Sequence, residues 1–212
     1  MGNVEPLAVD ANSVILPGYI IHEKVKESDR SIIYRGSSVR DNTPVIIKLL
    51  RPETTTMNNI AGLIREYNIT RSISLKGAVM PIELVKAGGS LALIMKDNGA
   101  VFLSDYIHHN VVSISLFLDI GIKLADILGE LHQQEIIHRG IKPDNILFNP
   151  DTGKVQIIDF SRAIFIRDRG SKNQAVDALP EAYGYMPPEL LGLSQDVADY
   201  SSDYYSLGVV FY

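Results

Sequence analysis

Over the first hundred positions, short runs of β-branched and aromatic residues alternate with polar ones; beyond them, apolar residues recur at helical spacing. Tyr19 to Val25 and Ile32 to Ser37 are two such runs, and the polar "KESDRS" between them predicts a hairpin. "PVIIKLL" follows the turn signal "RDNTP" and predicts a third strand, with Lys48 set inside an otherwise apolar run. Between Asn59 and Ile73 the apolar residues Ile60, Leu63, Ile64 and Tyr67 fall at helical spacing, with Glu66 beside that face. "VMPIELV" and "SLALIM" then predict two more strands around "KAGG". The pattern therefore describes a five-stranded unit with one main helix.

After "KDNGA", which reads as a linker, the character becomes helical. Ser113 to His132 carries Phe117, Ile120, Leu124, Leu128 and Leu131 on one face and predicts a largely buried helix. Two short strands, around "ILFN" and "VQIID", are joined by "PDTG"; short helices are expected at "PPELLG" and from near Ser201. Residues 1–17 read as a loosely structured leader ending at "PG". No internal repeat is evident.

Composition narrows the function classes. With 212 residues, 46% of them apolar, the chain can bury a real core, and a formal charge of −5 gives no electrostatic reason to expect nucleic acid or an anionic membrane as partner. The absence of cysteine excludes a disulfide framework, a thiolate metal site and a cysteine nucleophile. The apolar runs are too short to cross a bilayer and no signal peptide is visible; Pro6 stands where a myristoylation signal needs Ser or Thr. A cytoplasmic location is the expectation.

Along the chain lie Lys48 in "VIIK", Glu66 on the next helix, the loop "HRGIKPDN", "DFS" at 159–161, "PPE" at 187–189 and "SSDYYSLG". In this order and context they resemble the eukaryotic-type Ser/Thr protein-kinase domain over about residues 18–212. The resemblance implies an α+β, bilobal protein-kinase-like fold: a five-stranded N-lobe at 18–95, a hinge at 96–100, and a mainly helical, partial C-lobe at 101–212, cut short within its central helix. The spellings "LPGYIIHEKV", "IIYRG" and "SSDYYSLGVVFY" are further similar to kinase-like domains at the N-terminus of large bacterial multi-domain sensor kinases, whose other modules would be natural partners.

Residue by residue, the resemblance implies ATP and Mg²⁺ as cofactors. Lys48 would hold the α- and β-phosphates and pair with Glu66; Lys142 would contact the γ-phosphate; Asn145 and Asp159 would hold the metal. Val25, Ile33, Met95 as gatekeeper, and Asp97 and Asn98 of the hinge complete the nucleotide-facing set. His138, Phe160 and Asp203 would be structural members, and Arg139 would pair with a phosphorylated residue of the following segment, where Ser161, Ser171, Tyr183 and Tyr185 carry hydroxyls. Lysine at 142 is the Ser/Thr-kinase choice, and with "PPELLG" it argues against a small-molecule kinase.

Three departures bear on activity. The glycines of the family's phosphate-covering loop fall on Lys26, Ser28 and Ser31, so the backbone should approach phosphates less closely. Gly140 occupies the position of the proton-accepting aspartate, and a positioned general base contributes about 10²- to 10⁴-fold. Glu181 and Ala182 stand where the family has the glycine and threonine, the latter normally bonded to that aspartate; loss of both partners avoids a stranded polar group. The reading is a protein-kinase-like signalling domain that binds Mg-ATP with impaired phosphotransfer. Its alternatives are an active Ser/Thr kinase acting on a protein hydroxyl and a nucleotide-free scaffold.

Overall fold

The computed structural model describes residues 16–168 and 180–212. They form two compact units: one made of the chain up to Ile60 together with Pro81–Asp97, the other of Ala61–Met80 and Asn98 onwards.

The first unit is an antiparallel five-stranded sheet of β1 (Tyr19–Glu27), β2 (Ser31–Ser38), β3 (Pro44–Leu50), β4 (Pro81–Ala87) and β5 (Ser90–Lys96), in the order β1-β2-β3-β5-β4. Register explains its two faces, since residues directly opposite in an antiparallel pair project to the same side. Tyr34, Ile47 and Ile94 are cross-strand partners and are fully buried, and with Ile32, Leu49 and Ala92 they form the core. Leu16, in the stretch read as leader, is 5% exposed and joins that core. The neighbouring rows, Ile33–Lys48–Leu93 and Arg35–Ile46–Met95, occupy the opposite face. Gly36 sits where no Cβ fits, because one would lie 2.2 Å from the carbonyl oxygen of Ile20 on β1.

Helix α1 (Met57–Ser72) leaves the first unit at its first turn, and its body belongs to the second. The buried face differs from the one the apolar spacing predicts: Leu63, Glu66, Ile69 and Thr70 point inward, whereas Ile64 is 39% exposed. The rotation buries a carboxylate that finds a backbone partner, described below, and places Ile69, with Ile73 beyond the helix, in the core of the second unit.

That core is built around α3 (Ile114–Gln133), whose Ile120, Leu124, Leu128 and Leu131 are buried as the spacing predicts; Ser113 caps its start by accepting from the Leu116 amide at 3.2 Å. Before α3 come the short β6 (Val101–Phe102) and α2 (Leu103–His109), a helix the polar pattern does not announce. After it come β7 (Ile136–Ile137), β8 (Ile146–Asn149), β9 (Lys154–Ile157), β10 (Ile164–Phe165) and α4 (Tyr200–Phe211). Strands β6, β8 and β9 form one small sheet, and β7 pairs with β10. "PPELLG" is a run of turns rather than a helix, with the amides of Leu190 and Leu191 bonded three residues back to Pro187 and Pro188. Helix α4 starts on a capping box between Asp199 and Ser202, and Ser202 Oγ also donates to Glu189 at 2.5 Å. Among the described residues no helix is long and apolar enough to cross a membrane.

Candidate functional site

The loop from His138 to Asn145 joins β7 to β8 and is held from beneath. Asp203, fully buried on α4, accepts from the amides of His138 and Arg139 at 2.8 Å each and from His132 Nε2 at 2.9 Å. Three donors converging on one buried carboxylate fix the loop backbone. Arg139 takes a positive φ of 59°, an outlier for a non-glycine residue that these bonds help to hold. His138, fully buried, donates through Nε2 to the carbonyl of Ile158 at 3.1 Å and packs edge-on against Phe160.

The loop and the end of β9 meet at two residues. The backbone of Asn145 accepts from the Ile158 amide at 2.9 Å, setting it beside Asp159. Asp159 is in the left-handed region (φ 67°, ψ 63°), and its amide donates to Glu66 Oε1 of α1 at 3.1 Å. That bond accounts for a glutamate only 2% exposed on the buried face of α1. Asn145 Nδ2 donates to the carbonyl of Gly140 at 2.7 Å, so its Oδ1 is the atom left for a cation. Lys142 Nζ lies 3.6 Å from Asp144. Glu66, Gly140, Lys142, Asn145 and Asp159 thus belong to one connected region of the second unit.

Gly140 is not among the positive-φ residues, and a Cβ there would sit 3.4–3.6 Å from His138 and Asn145, at ordinary contact distance. Position 140 is therefore open to a side chain.

Beside this region is an arginine cluster that the motif reading only half found. Arg139 is 5% exposed and donates through Nε to the carbonyl of Arg162 at 2.8 Å; its Nη1 has no hydrogen-bond partner among the described residues. Burial, reinforced by Arg65 and Arg162 and opposed by Asp203, pushes its guanidinium down to about 10. Arg65 donates to the carbonyl of Ser161 at 2.9 Å. Adjacency to Glu66 and to "DFS" was the available signal for the second and third arginines. Ser171, and the side chains of Glu181 and Ala182, lie outside the described residues.

In the first unit, Ile33 and Lys48 are direct cross-strand partners, and Lys48 is opposite Leu93 on its other side. Met95 is 4% exposed, opposite Ile46. Val25 is the extra residue at a bulge, since Lys24 pairs with Tyr34 and Lys26 with Ile33. Asp97 is engaged by Arg35 Nε at 3.0 Å. Asn98, first residue of the second unit after the break, donates to Gln156 at 2.6 Å and accepts on its carbonyl from Asn149 at 2.9 Å.

The glycine-poor hairpin is closed by its own side chains. Ser28 Oγ accepts from the amides of Arg30 at 3.4 Å and Ser31 at 3.2 Å, while Arg51 Nε donates to the Ser28 carbonyl at 2.7 Å and its guanidinium pairs with Glu27. The hydroxyl occupies amides that a glycine-rich turn would leave for phosphate oxygens.

Among the described residues no group of three or more His, Cys, Asp or Glu could hold a metal ion by itself. Asn145 and Asp159 suit Mg²⁺, which keeps waters and is bound through one or two protein oxygens together with substrate phosphates.

A sequence model of the protein kinase domain matches residues 19–212. Serine/threonine-protein kinase ATG1b of Arabidopsis thaliana is 26% identical over 201 residues, covering 93% of this chain and 27% of that protein. The probable serine/threonine-protein kinase CPE1738 of Clostridium perfringens is 26% identical over 196 residues, covering 92% of this chain and 28% of that protein. Human rhodopsin kinase GRK1 is 40% identical over 85 residues, which is 40% of this chain and 14% of that protein. The chain thus spans 28% or less of the length of each of these three relatives. With an antiparallel five-stranded sheet preceding a mainly helical unit, and a family match over nearly its whole length, the chain belongs to the protein kinase domain family.

Proposed function

We propose that the chain is a regulatory Ser/Thr-protein-kinase-like module that binds Mg-ATP and transfers its γ-phosphate poorly. The observation that carries this reading is the bond from Asn145 Nδ2 to the carbonyl of Gly140: the loop keeps its fold while position 140 offers no side chain to a hydroxyl. On this reading Lys48, Val25, Ile33, Met95, Asp97 and Asn98 face the nucleotide. Glu66 holds the Asp159 amide. Lys142 neutralises phosphate charge, and Asn145 Oδ1 and Asp159 hold Mg²⁺. When bound, Mg²⁺ supplies neutralisation of charge on the phosphate oxygens. Gly140 cannot orient an acceptor hydroxyl or take its proton. Regulatory modules of a longer protein are the proposed partners.

The test combines two measurements. Mg-ATP raises the melting temperature of the chain, and γ-phosphate transfer to a generic protein substrate stays at background. Robust transfer that Lys48→Met abolishes overturns the proposal.

A second reading, an active kinase, is favoured by Asp144, whose carboxylate lies 3.6 Å from Lys142 and could take the proton near the phosphate-contacting lysine. On that reading Asp144→Asn removes measurable transfer while leaving Mg-ATP stabilisation in place.

A further inference from the structure

Strand β9 reads "KVQI", and Val155 and Ile157 account for its apolar burial. Gln156, between them, is buried as deeply, at 3% exposed, although an apolar residue would meet the same burial without desolvating an amide. Its two ends are both used. Nε2 donates to the carbonyl of Ala78 at 3.0 Å, and Oε1 accepts from Asn98 Nδ2 at 2.6 Å. Only a side chain with a donor at one corner and an acceptor at the other can span a carbonyl and an amide in this way; glutamate lacks the donor.

The groups it joins are themselves fixed. Asn98 is held a second time through its carbonyl by Asn149 Nδ2 at 2.9 Å, and Asn149 Oδ1 is in turn anchored by the amides of Asp151 and Thr152 at 3.0 Å each. On the other side, the loop from α1 to β4 is seated against β9: the Ile157 amide donates to the Gly77 carbonyl at 2.7 Å, and Ala78 and Ile157 form a parallel bridge. Gly77 packs closely on α3, since a Cβ there would lie 2.3 Å from the side chain of Ile127. Asn98 is itself an exposed residue, beside Gly99 at φ 69°.

We infer that Gln156 is a positioning residue for the adenine-facing segment, an inference that rests on the nucleotide reading above. Acting through Asn98, it sets the backbone at the end of that segment before any ligand arrives, and ties it to the loop that follows α1. Preorganisation of this kind raises affinity by removing an ordering cost from the binding step.

The test is calorimetric titration of the full chain with Mg-ADP, comparing wild type, Gln156→Glu and Val155→Ala. Gln156→Glu loses the bond to Ala78 and sets a carboxylate against its carbonyl. Val155→Ala weakens the same strand without touching the amides. The expected result is about 3- to 10-fold weaker Mg-ADP binding by Gln156→Glu, the equivalent of about one hydrogen bond, with Val155→Ala unchanged. Equal affinity in Gln156→Glu and wild type overturns the inference. So does equal weakening in both variants, which marks a merely structural role. If Gln156→Glu fails to fold by circular dichroism, Asn98→Ala removes the same 2.6 Å bond from its exposed end and carries the same expectation. Wild type that binds no Mg-ADP overturns the nucleotide reading and this inference together, whereas unchanged variants overturn the inference alone.

Discussion

The carbonyl oxygen of Gly140 accepts a 2.7 Å hydrogen bond from the side-chain amide of Asn145. The loop backbone is therefore anchored at a residue without a side chain, with space beside it for one. Gly140→Asp should fold with unchanged or slightly raised stability, since a Cβ meets its neighbours at 3.4 Å or more and glycine's extra backbone entropy is removed from the unfolded chain. Phosphotransfer should rise by about 10²-fold or more if the remaining site is competent. Radiolabel transfer from γ-labelled ATP by wild type and variant checks it.

Glu66 is buried because its carboxylate receives the amide of a strained residue, Asp159. Glu66→Ala should lower stability by about 1 to 3 kcal/mol, as it strands that amide, whereas Glu66→Gln keeps an acceptor oxygen and should cost less. Urea denaturation of the two variants separates them.

At the hairpin, Ser28 Oγ holds two amides of its own turn. Ser28→Gly frees them and restores access to positive φ, so Mg-ATP should bind a few-fold more tightly, roughly 2- to 10-fold for one or two weak hydrogen bonds. Titration with Mg-ATP and with adenosine distinguishes a phosphate effect, which only the former shows.

Two glycines should respond oppositely to alanine. Gly36→Ala places a methyl 2.2 Å from the Ile20 carbonyl oxygen and should cost about 1 to 3 kcal/mol by forcing β1 from β2. Gly129→Ala, inside α3 with nothing within 4 Å of the new methyl, should stabilise by about 0.5 to 1 kcal/mol. Thermal melts of the two variants give both signs.

Tyr19 donates its hydroxyl to Glu83 at 2.6 Å, and burial together with that carboxylate pushes its phenol up to about 12. A raised folded-state value means that the contribution is complete below the unfolded value near 10 and is lost as pH climbs from about 10 to about 12. Tyr19→Phe should accordingly be less stable at pH 8 and should lose less stability over that alkaline window, as read by chemical denaturation at a series of pH values.

Much of this protein is legible along the chain because it rests on short-range pattern. The β-branched runs around Tyr34, Ile47 and Ile94 predict strands, since alternation alone separates a buried face from the row that carries Lys48. The spacing of Ile120, Leu124 and Leu131 likewise predicts the buried helix. The kinase motifs, being contiguous words with fixed spacing, point to the family that the domain match shows.

What tertiary structure alone decided depends on partners distant in sequence. The apolar spacing of α1 points to Ile64, but the fold buries Glu66 instead, because Asp159, 93 positions later, brings an amide to its carboxylate. "PPELLG" has the composition of a helix and forms turns. The closure of the hairpin by Ser28 and Arg51, and the burial of Gln156 between Ala78 and Asn98, have no signature in local pattern: a hydrogen bond needs a donor and an acceptor brought together, and only the folded chain specifies which ones meet.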